Sequence, residues 1–239
     1  MISIVTICYN NPRELLRTGV SIQTLKRQYG NVEWIVIDGS MNEDIAQVAA
    51  QKKFDIDIFI SEPDRGISHA WNKGIRLASG DHVMIVNSGD EVRAMSFPQI
   101  FSELEHGKIL FTSTQILSAD SVDSGIYRAR PRLIPFGMFV PHIGAFVPRQ
   151  MYESLGYYKE LRHSMDYEWF YRNYNNLNFV VKNEIVSSVF YLGGVSSKEA
   201  VLGFWTDFKI QSQNSFLPFI SFCVFLIKAA KHSVVNRLL

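Results

Sequence analysis

The sequence predicts an α/β fold with a mostly parallel central sheet flanked by helices. Continuous apolar runs rich in β-branched residues, such as Ile2–Ile7, recur through the first half of the chain. Such runs are expected of strands that are buried on both faces. Helical segments separate the runs, and strands that alternate with helices form parallel sheets with right-handed crossovers. The 239 residues are enough to bury one large core.

The elements of the first half follow in order. Asn10, Asn11 and Pro12 interrupt the first strand, and a proline at this point suits the first turn of a helix. Ser79 and Gly80 end the third helix. The predicted strands are Ile2–Ile7, Glu33–Ile37, Ile56–Ile60 and His82–Val86, and the predicted helices are Pro12–Gln28, Glu43–Lys53 and Ile67–Ala78.

The pattern is looser from about residue 97 onward. Prolines cluster in a predicted surface segment between Pro131 and Pro148. The predicted strands are Ile109–Thr114, Gly125–Ala129, Ala145–Pro148, Phe179–Val181 and Val186–Tyr191, and the predicted helix is Asp166–Tyr174. Because no sharp linker separates the halves, we expect them to belong to a single domain.

Composition and charge exclude several classes of protein. Hydrophobic residues make up 47% and charged residues 20% of the chain, which excludes a disordered or fibrous protein. The net charge is +1, without the basic surplus of a general nucleic-acid binder, so no nucleic-acid partner is expected. Cys8 and Cys223 form no disulfide framework, which favours a reducing compartment. The apolar N-terminus is predicted to be a strand rather than a signal peptide.

Acidic side chains follow the predicted strands. Asp38, Asp64 and Asp90 each come where a strand ends, and ligands bind beyond the carboxyl ends of parallel strands, so these residues should converge on one cleft. The chain has neither a dinucleotide-binding glycine motif nor a P-loop. Carboxylates can hold phosphate through a divalent cation such as magnesium or manganese. With Asp38 placed to bind a ribose or base, the pattern suggests a nucleoside-diphosphate ligand.

Each of these acids also has a purely structural interpretation. Asn87–Asp90 is good turn chemistry, and Asp38 could end a strand with Ser40 capping the next helix. Asp166 follows a possible N-cap, Ser164, and an acid in the first helical turn complements the helix dipole. The residues alone leave these interpretations open beside the functional ones.

Four segments in a fixed order resemble a known family. They are Ile4–Asn10, Glu33–Ser40, Ser61–Ile75 and Ala78–Asp90, and the likeness returns at Pro141–Phe146 and Ser164–Arg172. The chain resembles the family 2 glycosyltransferases of GT-A fold, a Rossmann-like mixed sheet, in the subgroup that builds bacterial exopolysaccharide and O-antigen units. The resemblance implies transfer of a sugar, with inversion, from a UDP- or GDP-sugar to a hydroxyl of a growing glycan, expected to be linked to polyprenyl diphosphate.

The resemblance also implies roles for individual residues on the donor side. Thr6 and Tyr9 would line the nucleotide pocket, and Asp38 would hydrogen-bond the base or ribose. Asp64 would face the nucleotide and diphosphate, together with the helix that carries Asn72 and Lys73.

On the catalytic side, the resemblance implies that Asp90 binds the divalent metal, Mn²⁺ or Mg²⁺, and that Asp166 is the catalytic base. His142 would border the acceptor. Glu168, two residues beyond Asp166, is an alternative base. Many family members have Ser-Asp-Asp where this chain has Ser88-Gly89-Asp90, so one carboxylate is missing, and Glu91 or the diphosphate oxygens would fill coordination sites.

The chain is expected to consist of a nucleotide-sugar-binding half (1–95), an acceptor-binding and catalytic half (96–214) and an apolar and basic C-terminal helical segment (215–239). Phe216–Ile227 carries no charge and basic residues follow it. Twelve apolar residues are too few to span a bilayer, but such a segment can lie in an anionic membrane interface. A cytoplasmic protein, peripheral on the inner face of the bacterial membrane, is therefore expected; a core helix is the alternative.

A catalytically silent sugar-nucleotide-binding or scaffold subunit of a polysaccharide assembly complex is the alternative function. The missing acid at Gly89 and the apolar C-terminal segment motivate it.

Overall fold

The structure, a computed structural model, describes residues 1–52, 54–193, 199–214 and 226. Within them nine strands form one mixed sheet. The strands are β1 Ile2–Cys8, β2 Val32–Asp38, β3 Ile58–Ser61, β4 His82–Ile85, β5 Glu91–Val92, β6 Ile109–Leu117, β7 Asp123–Tyr127, β8 Ala145–Pro148 and β9 Phe179–Tyr191. The helices are α1 Pro12–Gln28, α2 Asp44–Lys52, α3 Ile67–Leu77, α4 Phe97–Glu103, α5 Arg149–Leu155, α6 Met165–Asn173 and α7 Ala200–Asn214.

The sheet has the order β3-β2-β1-β4-β8-β6-β9-β5, and β7 pairs with β6 outside this path. The first four strands in this order are parallel. β8 is antiparallel to both β4 and β6, whereas β9 is parallel to β6. The predicted α/β class, a mixed sheet with flanking helices like the GT-A fold, is thus confirmed.

Two apolar layers cover the parallel strands, one on each face. On one face Val5 and Ile35 pack in a cluster that includes Trp71 of α3. On the other face Ile4 and Trp34 pack in a cluster that includes Leu15 of α1. All four strand residues are fully buried, and each such aliphatic side chain stabilises the fold by about 1.5–3 kcal/mol. This burial on both faces explains the continuous apolar runs.

The second half departs from the predicted elements. β9 is one strand from Phe179 to Tyr191, whereas the sequence predicted two short ones. Its pairing with β6 jumps from Lys182 to Val186. Inside the jump, the Asn183 side chain exchanges two hydrogen bonds with the backbone of Ala129. A bulge supported by a side-chain amide therefore continues a strand that the sequence pattern divides.

The predicted C-terminal apolar segment, 215–239, lies outside the described residues except for Leu226. Within the described residues, no helix combines the length and apolar character that a membrane span requires.

Candidate active site

A cavity of about 450 Å³ lies beyond the carboxyl end of β4. Asp90, after β4, and Asp166, in the first turn of α6, both line it. His142 contributes from a 3-10 turn, His142–Gly144, and Phe204 from α7. Residues that are far apart in the sequence therefore meet around one space. Of the four acids predicted to converge, Asp90 and Asp166 line the cavity, whereas Asp38 and Asp64 do not.

Asp90 is a buried carboxylate at the wall of the cavity, with 7% of its surface exposed. Its Oδ1 accepts a hydrogen bond from the Tyr191 amide at 3.3 Å. Burial raises the pKa of Asp90 to about 7, because loss of hydration outweighs that hydrogen bond and the nearby charge of Arg17. A buried carboxylate that faces a cavity with one backbone hydrogen bond is able to bind a cation.

The backbone conformation before Asp90 explains why residue 89 is a glycine. Gly89 has φ +108°, a backbone conformation that side chains with a Cβ rarely adopt. An acid at this position would be strained whatever its role. The departure from the Ser-Asp-Asp pattern therefore goes with a local turn that favours glycine.

Asp166 lies at the start of α6, where its Oδ1 accepts a hydrogen bond from the Tyr167 amide at 2.9 Å. Ser164 precedes the helix in the left-handed region, φ +56°, and makes no side-chain cap. Ser164 thus occupies the N-cap position without capping the helix through its side chain, and its hydroxyl instead donates to the Gly203 carbonyl of α7. Glu168, the alternative base, forms ion pairs with Lys159 and Arg172 and does not line the cavity.

His142 packs its ring against Trp71, with centroids 4.6 Å apart. Its Nε2 is 2.9 Å from the Tyr158 hydroxyl. Burial lowers the pKa of His142, and the charge of Asp166 opposes this effect in part. A neutral imidazole and a carboxylate therefore line the same cavity.

Two predicted donor-side residues are sealed inside the protein. Thr6 is fully buried, and its hydroxyl accepts a hydrogen bond from Trp34 Nε1 at 3.0 Å. Asp38 is also fully buried; its oxygens accept hydrogen bonds from the Ser40 amide and the Ser61 hydroxyl, both at 2.9 Å. Asp38 thus ties the ends of β2 and β3 together at the predicted edge of the sheet. Neither residue lines the cavity, and their contact with a nucleotide remains a prediction.

The other donor-side residues lie near the same strand ends but not in the cavity wall. Tyr9 is 63% exposed. Asp64 is half-buried against Gly39, and its Oδ1 accepts the Gly66 amide at 2.7 Å. Lys73 pairs with Glu62 at 2.8 Å. Tyr9 is therefore exposed, Asp64 is held in a turn, and Lys73 is already paired with an acid.

Asn72 is buried, and its side-chain amide donates to the carbonyl of Tyr158 and accepts from the same residue's amide, at 2.8 and 3.1 Å. Both ends of this amide connect α3 to the segment before α6.

Sequence reasoning missed several polar residues of the cavity wall, among them Tyr127, Arg162, His163, Glu199 and Asp207. The Tyr127 hydroxyl donates to the Met138 carbonyl at 2.5 Å. Burial and the charges of Asp166 and Asp207 raise the pKa of Tyr127. Asp207 is the one carboxylate in the sequence of α7, and that isolated acid is the signal that could have marked it.

The comparisons with known proteins agree with the fold. The sequence profile of glycosyl transferase family 2 matches residues 3–180. The chain belongs to this family. Two uncharacterized glycosyltransferases of Mycobacterium tuberculosis are 29% identical to it over 167 residues. The match covers 66% of this chain and 62% of each relative, so this family 2 chain spans less than two thirds of their length.

Solved structures resemble the fold at low sequence identity. Staphylococcus aureus TarS 1–349 in complex with UDP-GlcNAc has a TM-score of 0.65 at 13% identity, covering 97% of this family 2 chain and 72% of TarS. The Pyrobaculum calidifontis mannosyltransferase PcManGT, in complex with GDP-Man and Mn²⁺, has a TM-score of 0.66 at 13% identity, covering 98% and 75%. These likenesses show that the family 2 chain shares their fold.

The described residues are compatible with a divalent cation that is bound by one protein carboxylate. Within the described residues, no group of three or more His, Cys, Asp or Glu side chains could hold a metal ion. Mg²⁺ is commonly bound by one or two carboxylates together with substrate phosphates and water. A single buried carboxylate such as Asp90 is compatible with that arrangement in this family 2 chain, and the remaining ligands would come from the donor diphosphate and water.

Proposed function

We propose that this chain is an inverting glycosyltransferase that moves a sugar from a nucleoside-diphosphate sugar to a hydroxyl of an acceptor glycan. The observation that carries the proposal is the meeting of Asp90 and Asp166 at one cavity. One carboxylate would act at the leaving diphosphate and the other at the attacking hydroxyl. A single displacement that uses two such groups inverts the anomeric configuration.

Asp166 is proposed as the catalytic base. One of its oxygens accepts the Tyr167 amide, which orients the carboxylate, and the other has no partner among the described residues. A base within about 2.6–3.2 Å of the attacking hydroxyl can take its proton as the new glycosidic bond forms. Glu168 is less suited to act as the base, because its carboxylate is already paired with Lys159 and Arg172.

On the donor side, Asp64, Lys73 and Tyr9 are proposed to face the nucleotide and diphosphate, with Thr6, Asp38 and Asn72 supporting that surface from inside the fold. UDP-GlcNAc in TarS and GDP-Man in PcManGT support a UDP- or GDP-sugar as donor. Asp90 would hold Mn²⁺ or Mg²⁺. When bound, such a cation would supply positive charge beside the diphosphate.

The acceptor is proposed to be a growing, lipid-linked bacterial surface glycan, with residues 215–239 contacting the cytoplasmic face of the membrane. The charge-free run Phe216–Ile227 and its basic flank support this part. Deleting 215–239 should move the protein from the membrane fraction to the soluble fraction. Identical fractionation of the truncated and full-length proteins would contradict it.

The transfer itself is tested by release of nucleoside diphosphate in the presence of manganese. UDP- and GDP-sugars are the donors, and a panel of methyl hexosides serves as acceptors. Asp166→Asn should reduce kcat by about 10²–10⁴-fold, the usual contribution of a general base. Asp120→Asn, at an exposed acid outside the cavity, is the matched control and should retain activity. Full activity of Asp166→Asn would remove Asp166 from the mechanism.

The alternative, a silent sugar-nucleotide-binding subunit, is favoured by one observation, the glycine at position 89 where many family members have an acid. Calorimetric binding of UDP or GDP without turnover across the whole acceptor panel would support this alternative over the enzyme.

A further inference from the structure

Two buried tyrosines and the half-buried His142 form a hydrogen-bonded series that ends at the cavity. The Tyr152 hydroxyl lies 3.0 Å from the Tyr158 hydroxyl, which lies 2.9 Å from His142 Nε2. Tyr152 is 1% exposed and Tyr158 is 3% exposed, so water does not satisfy their hydroxyl groups. Of the three, His142 alone lines the cavity.

The position of each hydrogen in this chain follows from counting donors and acceptors. Among the described residues, the Tyr152 hydroxyl has only the Tyr158 oxygen as a hydrogen-bond partner. Tyr152 must therefore donate to Tyr158, because a buried hydroxyl hydrogen is otherwise left unsatisfied. The hydrogen of Tyr158 is then directed to His142 Nε2, which has to be an unprotonated acceptor.

A neutral histidine whose Nε2 accepts carries its proton on Nδ1. A charged imidazolium would donate from Nε2 to Tyr158, and the tyrosine hydrogen would lose its acceptor. Burial lowers the pKa of His142 in the same direction. The hydrogen-bond count and the desolvation of the ring thus favour one protonation state and one tautomer.

The surroundings fix the ring as well as its proton. Trp71 packs against His142, and Phe170 meets it edge-on with centroids 6.4 Å apart. The two hydrogen bonds from the Asn72 side chain hold the backbone of Tyr158. Nδ1 has no hydrogen-bond partner among the described residues and is not one of their buried, unpartnered atoms, so part of its surface is accessible. His142 lines the same cavity as Asp166.

We infer that Tyr152 and Tyr158 are positioning residues that hold His142 as a neutral Nδ1–H donor, and that this N–H binds an acceptor oxygen next to the attacking hydroxyl. This inference rests on the proposed function. The acceptor class it names is a sugar with two adjacent oxygens, one directed at Asp166 and its neighbour at His142. Because Nδ1 already carries a proton, the imidazole does not compete with Asp166 as the base.

Protons and electrons balance in the proposed transfer step. The acceptor oxygen bonds to the anomeric carbon and gives its proton to Asp166. The bond from that carbon to the diphosphate oxygen breaks, and its electron pair leaves with the diphosphate. His142 keeps its Nδ1 proton throughout and contributes only orientation.

The tautomer is tested without any substrate by long-range ¹H–¹⁵N correlation spectra of the full chain with ¹⁵N-labelled histidine. His142→Asn assigns the signal among the six histidines. The wild-type protein should show the Nδ1–H pattern, and Tyr158→Phe should lose it. Tyr157→Phe is the matched control and should keep the Nδ1–H pattern. The Tyr157 ring stacks beside Tyr152, but the Tyr157 hydroxyl takes no part in the hydrogen bonds that lead to His142. An Nε2–H pattern in the wild type, or no change in Tyr158→Phe, would overturn the inference.

Tyr152→Phe gives a second variant if Tyr158→Phe does not fold. Without Tyr152, the Tyr158 hydrogen still has His142 Nε2 as its acceptor among the described residues, so the Nδ1–H pattern should persist. The Nε2 resonance should shift, because the Tyr158 hydroxyl loses the hydrogen bond from Tyr152 that polarises it. An unchanged Nε2 resonance would overturn the assignment of Tyr152, and an Nε2–H pattern would overturn the donor count.

The substrate arm uses the diphosphate-release assay with the methyl hexoside panel. His142→Ala should lower kcat/KM for the acceptor by about tenfold, as expected for one lost neutral hydrogen bond. His142→Asn, which keeps an N–H near the position of Nδ1, should recover most of it. A monodeoxy acceptor that lacks the adjacent oxygen should be insensitive to both changes. Equal losses in the two variants would overturn the donor role, whereas absence of turnover in the wild type would overturn the proposed function and leave the tautomer result standing.

Discussion

A substitution at Gly39 can test whether Asp64 binds the donor nucleotide or only stabilises its turn. A Cβ at Gly39 would lie 2.1 Å from Asp64 Oδ2 and 2.7 Å from its Cγ. Ordinary contact distances are about 3.5–4 Å, so the carboxylate would have to retreat by roughly 1 Å or more. Gly39→Ala therefore displaces Asp64 without changing its charge.

The magnitudes distinguish the two roles. Moving Asp64 weakens its hydrogen bond to the Gly66 amide, which costs about 1 kcal/mol. Replacing a glycine by alanine also stabilises the folded state by about 0.4–1 kcal/mol, because it lowers the conformational entropy of the unfolded chain. The two effects largely cancel, so Tm should change by no more than about 4 °C. If Asp64 accepts a hydrogen bond from the nucleotide, losing that charged contact costs about 1.5–3 kcal/mol, or roughly 10–100-fold in Kd.

The assay is calorimetric titration of UDP and GDP, with thermal unfolding measured in parallel. Gly30→Ala is the matched control, because a Cβ there would meet nothing within 4 Å, and it should bind like the wild type. Equal nucleotide affinity in the two alanine variants would refute the donor-side role of Asp64 and leave it as a turn residue.

Three further predictions concern stability and the limits of the site. Gly74→Ala should lower the urea midpoint by the equivalent of about 1–2 kcal/mol despite better helix propensity, since its Cβ would lie 2.3 Å from a methyl group of buried Val5; a higher midpoint would contradict this. Glu168→Gln should cost about 1–3 kcal/mol in chemical unfolding but leave kcat unchanged, and a large loss of kcat would make Glu168 the base. Thr6→Val removes the acceptor of Trp34 Nε1 and should cost about 1–3 kcal/mol. It should leave UDP affinity unchanged in titration; a tenfold weaker Kd would place Thr6 in the nucleotide pocket.

Local patterns predicted the parallel half of the fold closely. The α1 bounds, Pro12–Gln28, agree with the structure, because a proline start and an apolar stripe are both local signals. The end of α3 was within one residue of the prediction. β1, β2 and β4 are almost entirely buried, so their composition alone marks them as strands.

The second half was harder because its elements depend on long-range contacts. β9 continues through a jump in its pairing with β6, where the Asn183 side chain makes two hydrogen bonds with the backbone of Ala129. Nothing in the local sequence of either residue signals that pairing. The sequence analysis identified no helix at α7, although this helix supplies Asp207 to the cavity wall.

The sequence alone determined the class of fold, the family and a set of candidate acids for the cavity, since strand-ending acids and motif order are properties of the chain itself. Only the tertiary structure decided which acids reach that cavity. Asp38 and Asp90 both follow strands, yet Asp38 is enclosed by hydrogen bonds to Ser40 and Ser61, whereas Asp90 lies at the wall. The hydrogen-bond donors that surround a buried carboxylate come partly from other strands. The linear sequence does not show which donors the fold brings close to it.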